Sequence, residues 1–112
     1  MIDVEKMVEN LNTAVVACDA DFKIIYANRK CKQMFKAYKM EGFVGNQMGD
    51  YHKSETMEKL RTLFADYAER KKNMDYYTTE TPNGKLTIVN TPSYDGEIFA
   101  GVVEFFFEGS LA

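Results

Sequence analysis

The segment Ala14 to Phe35, AVVACDADFKIIYANRKCKQMF, constrains the fold of this chain more than any other stretch. Two apolar runs, Ala14–Cys18 and Ile24–Ala27, flank Asp19-Ala20-Asp21. Aspartates in such a turn hydrogen-bond their own backbone, so the pattern predicts two antiparallel strands joined tightly. Asn28 follows at once and suits the N-cap of a short helix. Cys31, Met34 and Phe35 then fall to one side of that helix.

The remainder of the chain changes period twice. Ile2 to Leu11 reads as an amphipathic helix, with Val4, Met7, Val8 and Leu11 at i, i+3, i+4 and i+7. Tyr38 to Gly49 contains Gly42, Gly45 and Gly49 and reads as short helical turns and loop. Ser54 is the expected N-cap of a long helix, with Glu55 and Glu58 suited to its positive end. Met57, Leu60, Leu63, Phe64 and Tyr67 form its apolar stripe, and Lys71-Lys72 suit its C-terminus. Beyond Asn73 the Tyr- and Thr-rich run Met74–Thr81 and the run Lys85–Thr91 flank Pro82-Asn83-Gly84, which predicts a second hairpin. Asp95-Gly96 turns the chain into a last strand, Glu97–Glu108.

This order resembles a PAS domain. In that family an apolar strand, an Asp-rich turn, an I-x-Y-x-N run and a short helix open the fold. The matching residues are Asp19, Asp21, Ile24, Tyr26 and Asn28. The resemblance implies an α+β fold: a five-stranded antiparallel sheet in spatial order 2-1-5-4-3, helices on one face, and an N-terminal amphipathic helix. It covers nearly the whole chain, so one domain is expected over residues 1–112, with the helix at 1–11 and the PAS core at 12–108.

At 112 residues the chain is long enough for one core and too short for two. A net charge of −3 leaves no basic footprint for nucleic acid. No apolar run approaches the roughly 20 residues of a membrane helix, and Asp3, Glu5 and Glu9 give the N-terminus the wrong charge for a signal peptide. A cytoplasmic location is expected. There Cys18 and Cys31 are free thiols, and with one histidine in the chain they do not make a zinc spacing. Seven methionines and fifteen Phe or Tyr residues suit an irregular interior or an adaptable pocket. No G-x-S-x-G, P-loop or H-E-x-x-H is present, and an enzyme is not expected.

The resemblance directs attention to residues 43–52. Light-sensing members of the family carry G-R-N-C-R-F-L-Q, whose cysteine attacks a flavin. Laid on Gly45 to His52, that motif puts Met48 at the cysteine and His52 at the glutamine. A thioether cannot become a thiolate, so flavin-adduct chemistry is excluded. Haem-binding members use one histidine as axial ligand, commonly on the long helix. His52 is the only histidine and lies just before that helix, so it is the candidate haem ligand. The run F-V-G-x-x-x-x-D-Y-H-K-x-E is also similar to a small bacterial, histidine-containing PAS subgroup with L-G-x-x-V-x-x-C-H-P-P-x-S. Gly84-Lys85 through Pro92 resembles that subgroup's G-K-x-x-I-x-x-x-P.

The expected function is a cytoplasmic sensory module with a small ligand, haem for gas or redox sensing being the named candidate. Besides His52, the expected pocket residues are Met48, Tyr26, Phe35, Leu60, Phe64, Ile88 and Val103. Val16, Ile25 and Met34 complete the set. PAS domains often pair through the N-terminal helix, which implies a homodimer. A ligand-free dimerisation module is the first alternative, and a small α+β enzyme the second. No kinase or DNA-binding motif follows Phe107, so the signal is expected to pass to a partner or to an output domain outside this chain.

Overall fold

Asp19 organises the first hairpin in the computed structural model, which describes residues 3–37 and 42–109. Its Oδ1 accepts from the backbone of Asp21 and Lys23 at 2.9 and 3.0 Å, closing the turn between β1 (Ala14–Asp19) and β2 (Ile24–Ala27). The element order continues with α2 (Arg29–Ala37), a 3-10 turn at Met48–Asp50, α3 (Ser54–Ala68), β3 (Asp75–Thr81), β4 (Gly84–Asp95) and β5 (Ile98–Glu108). A short helix, α1 (Val4–Glu9), precedes them. The five strands form one antiparallel sheet in the order 2-1-5-4-3.

Several boundaries differ from the sequence reading for physical reasons. The cap of α3 is Lys53 rather than Ser54, and no side chain caps it. The helix stops before Lys71-Lys72 because Arg70 takes a left-handed backbone, φ 59°, and the Lys71 N–H turns back to the Asp66 carbonyl at 2.8 Å. Strand β4 runs past Thr91 through Pro92 to Asp95. A proline there removes no ladder bond to β3, because the β3–β4 pairing ends at Asp75 and Asn90. Residues 38–41, the first part of the glycine-containing loop, lie outside the described residues.

The core lies between the sheet and α2, the 3-10 turn and α3. Met57, Leu63, Phe64 and Tyr67 of α3 are buried, and Phe64 stacks on Phe22 at 4.3 Å between ring centres. Each such side chain contributes about 1.5–3 kcal/mol by leaving water. Leu60, at the edge of the same stripe, is half-buried. Asn28 does more than cap α2: its Oδ1 accepts from Cys31 N at 2.9 Å and Val15 N at 3.0 Å. Its Nδ2 donates to the carbonyls of Val8 and Thr13, so one buried amide joins α1, β1 and α2.

Helix α1 is otherwise loosely held. Asp3 caps it through Lys6 N, and Glu9 accepts a 2.7 Å hydrogen bond from the Tyr26 hydroxyl. Val8 is half-buried, while Val4 and Met7 stay outside, 73% and 58% exposed. Among the described residues, no helix is long and apolar enough to cross a membrane.

Candidate functional site

The loop after α2 is pinned to the edge of β2. Gly45 N and Ile24 O lie 2.7 Å apart, Asn46 O accepts from Ile24 N, and Met48 N donates to Phe22 O at 2.8 Å. These bonds lay the buried Met48 and the 3-10 turn across the helical face of the sheet. Beneath lies a cavity of about 200 Å³. Val16 and Cys18 of β1, Ile24 of β2, Phe35 of α2 and Phe43 form one side of its lining. Met48, Tyr51, His52, Tyr77, Ile88, Glu104 and Phe106 form the other. The lining is mainly apolar, as expected for a small-molecule site with few polar groups to orient the guest.

An outer cleft of about 630 Å³ runs between α3 and the sheet. Met48, His52, Tyr77 and Glu104 line both it and the cavity, so these four side chains form the partition between them. A groove of about 610 Å³ between α2 and the β3–β4 hairpin is open and carries Lys30, Lys85 and Glu108. It is a solvated surface feature distinct from the cavity.

Glu104 is the unusual group. Strand pairing puts it on the helical face, directly between Val16 of β1 and Asn90 of β4. Among the described residues it makes no hydrogen bond and no ion pair. Burial alone pushes its carboxyl up to about 7. Its neighbours respond in turn: burial, then the Glu104 charge, raises Cys18, Cys31 and Tyr77 to about 12. Both thiols are therefore held neutral, unsuited to nucleophilic attack. Asn90, across from Glu104, is engaged elsewhere, its side chain and carbonyl both accepting from the Tyr67 hydroxyl.

The expected site residues divide. Met48, His52, Phe35, Ile88 and Val16 meet at the cavity. Leu60 lines only the outer cleft, and Phe64 is committed to the core stack with Phe22. Met34 borders the surface groove. Tyr26, Ile25 and Val103 do not reach the cavity. Tyr26 bonds Glu9 of α1, Ile25 is 54% exposed, and Val103 pairs with Ala17 and Thr91 on the opposite face of the sheet. Cys18, Ile24, Phe43, Tyr51, Tyr77, Glu104 and Phe106 were missed. The signal for Glu104 and Phe106 was strand parity: Val102, Glu104 and Phe106 share the face opposite Val103.

Haem is too large for the inner cavity alone. The ring nitrogen Nδ1 of His52 lies 2.7 Å from the Met48 carbonyl. That leaves Nε2 with a free lone pair, which alone would suit an axial ligand. The cavity beside it, however, falls below the roughly 300–1,000 Å³ of drug-sized ligand sites, and haem is larger than such ligands.

A PAS domain family model matches residues 4–108. The chain belongs to the PAS domain family. Solved structures agree with its fold. A C-terminal domain from Streptococcus mutans is similar at a TM-score of 0.76 and 16% identity, over 96% of this chain and 85% of that one. The PAS domain of histidine kinase ThkA gives 0.64 and 19%, over 88% and 100%. A sensory box sensor histidine kinase from Vibrio cholerae gives 0.62 and 10%, over 97% and 90%. No curated protein matches significantly. PAS domains are generally sensory modules.

Proposed function

We propose that this PAS domain is a cytoplasmic sensory module of bacterial type that takes a small, mainly apolar ligand in the cavity between the sheet and the Met48–His52 segment. The observation that carries this reading is the cavity itself: about 200 Å³, apolar in most of its lining, and parted from an outer cleft by four side chains. Dry apolar cavities of comparable size bind benzene-sized guests. A ligand acts by binding one packing of the Met48–His52 segment more tightly than another, which shifts the balance between them. The change passes through β1 and Asn28 to α1, because the Asn28 amide joins all three. The output is a partner protein or a further domain, as in a histidine kinase.

The exposed Val4 and Met7 on α1 favour a second element of the reading, a homodimer through this helix. A dimerisation module with no ligand is the competing reading, and that same exposed face is its support. Amide NMR titration with benzene separates the two. Benzene should shift the amides of Val16, Ile88 and Phe106, and Ile88→Trp, which fills the cavity, should abolish those shifts. An unmodified protein whose cavity amides do not respond would leave only the dimerisation reading.

A further inference from the structure

The one charge in the cavity wall decides what kind of ligand suits it. We propose that the ligand is a small amine or amidine, its ring-sized apolar body in the cavity and its protonated nitrogen at the partition, held by the Glu104 carboxylate with His52 as second acceptor. This rests on the cavity reading above and names the class of molecule the cavity would take.

The argument starts from what Glu104 lacks. Glu104 is half-buried, and a carboxylate partly withdrawn from water on an apolar face is costly to keep without a partner. The groups facing it are poor partners. Cys18 of β1, Cys31 of α2 and Tyr77 of β3 are neutral, and Asp75 of β3 and Asp66 of α3 carry its own sign. Lys59 and Lys72 line the outer cleft, yet neither forms an ion pair with it. His52 presents an acceptor rather than a donor. A carbonyl can only accept, so the contact of Nδ1 with the Met48 carbonyl places the ring proton on Nδ1 and the lone pair on Nε2. The partition thus offers a carboxylate and an imidazole lone pair. Ammonium and amidinium groups bring two or more N–H donors and a positive charge, matching both. An anionic head group meets the Glu104 charge, with only the neutral hydroxyls of Tyr51 and Tyr77 and the Cys18 thiol to offset it.

Burial also makes the site pH-dependent. With its carboxyl raised to about 7, Glu104 is roughly half protonated near neutrality and loses that proton when a cation binds. Amine binding should therefore release protons at pH 7.

The test compares benzylamine, benzyl alcohol and benzoate, one ring with three head groups, on the full chain by calorimetry and amide NMR. At pH 8, benzylamine should bind at least tenfold more tightly than benzyl alcohol, and benzoate should not bind. Lowering the pH from 8 to 6 should weaken benzylamine about tenfold and leave benzyl alcohol unchanged, because Glu104 passes from mostly charged to mostly neutral. Glu104→Gln should bring benzylamine down to the level of benzyl alcohol, whose retained binding shows the variant is folded. If benzyl alcohol binds the unmodified protein as well as benzylamine does, the amine class is overturned and the cavity reading stands. Persistence of the benzylamine preference in Glu104→Gln likewise overturns the role of Glu104. If none of the three moves the amides of Val16, Ile88 or Phe106, the cavity reading fails and this inference with it.

Discussion

The side-chain oxygen of Asn28 accepts a 3.0 Å hydrogen bond from the backbone N–H of Val15, on the first strand of the sheet. The same amide caps α2 and reaches back to α1, so a single residue welds three elements where an ordinary cap would serve one. Buried polar groups of this kind are costly to break, since each orphaned partner loses its solvation without replacement.

Asn28→Ala should therefore destabilise the protein by roughly 3–5 kcal/mol, well above the ~1 kcal/mol of a simple N-cap. Asn28→Asp keeps the acceptor for Val15 and Cys31 but sets an oxygen against the Val8 and Thr13 carbonyls. It should loosen α1 selectively, seen as faster hydrogen exchange at Lys6 and Met7. Denaturant titration checks the first variant. A loss near 1 kcal/mol would reduce Asn28 to a local cap.

Gly101 has φ +152°, and a side-chain carbon there would run into the Cys18 carbonyl of the neighbouring strand. The clash is with backbone, which cannot move without opening the β1–β5 ladder at Cys18 and Val102. Gly101→Ala should cost several kcal/mol, about 2–4 from strain and lost pairing. Gly109→Ala, with open space around its position, is the control and should cost less. Thermal unfolding of both variants tests the contrast.

The strands and the long helix were legible in the sequence because each has a period or a turn that local chemistry dictates, whereas the order of the strands followed only from the resemblance to PAS domains. Asp19 and Asp21 announce the first turn, and Pro82-Asn83-Gly84 the second. The site was legible only in part. Met48, His52, Phe35 and Ile88 reached the cavity because the loop and two apolar faces pointed there. Val103 was placed on the wrong face because V-V-E-F-F-F offers apolar residues in both parities. The correct parity is set by pairing with β1 and β4, which no single strand reveals. Glu104 was invisible for the opposite reason: a lone glutamate in a last strand reads as solvated until the loop at Met48 covers it.

Stability should carry the mark of that covered carboxyl. Glu104 is raised from an ordinary 4.5 to about 7, so between those values the folded protein holds a proton that the unfolded chain releases. The folded state is thus favoured by acid within this window, and stability should fall as pH rises from 4.5 to 7 and level off above. The shift corresponds to at most about 3 kcal/mol, and water in the adjoining cleft trims it. Glu104→Gln removes the titration. Relative to the unmodified protein it should gain about 1–3 kcal/mol between pH 5 and pH 8. Parallel stability curves for the two proteins would show that Glu104 is well solvated.

His52 should behave as a partition residue rather than a haem ligand. Protein produced with ample haem should show no Soret band that His52→Ala removes, since the cavity of about 200 Å³ is too small for the macrocycle. A Soret band lost in His52→Ala would reinstate axial ligation and require the 3-10 turn to swing open.

Assembly depends on α1. Its apolar residues Val4 and Met7 are 73% and 58% exposed, while Glu9 and Asn28 tie the helix to the rest of the chain by its far end. An apolar stripe tethered at one end and left uncovered is a surface for a second copy. Light scattering should show a homodimer, and Met7→Glu should shift it to monomer by placing a charge on the joined face. The domain itself should keep its stability, because Met7 contributes little to the core of one chain. A monomer for the unmodified protein at high concentration would remove α1 as the interface. A dimer indifferent to Met7→Glu would move the interface to the outer face of the sheet, where Phe105 stacks on the partly exposed Phe107.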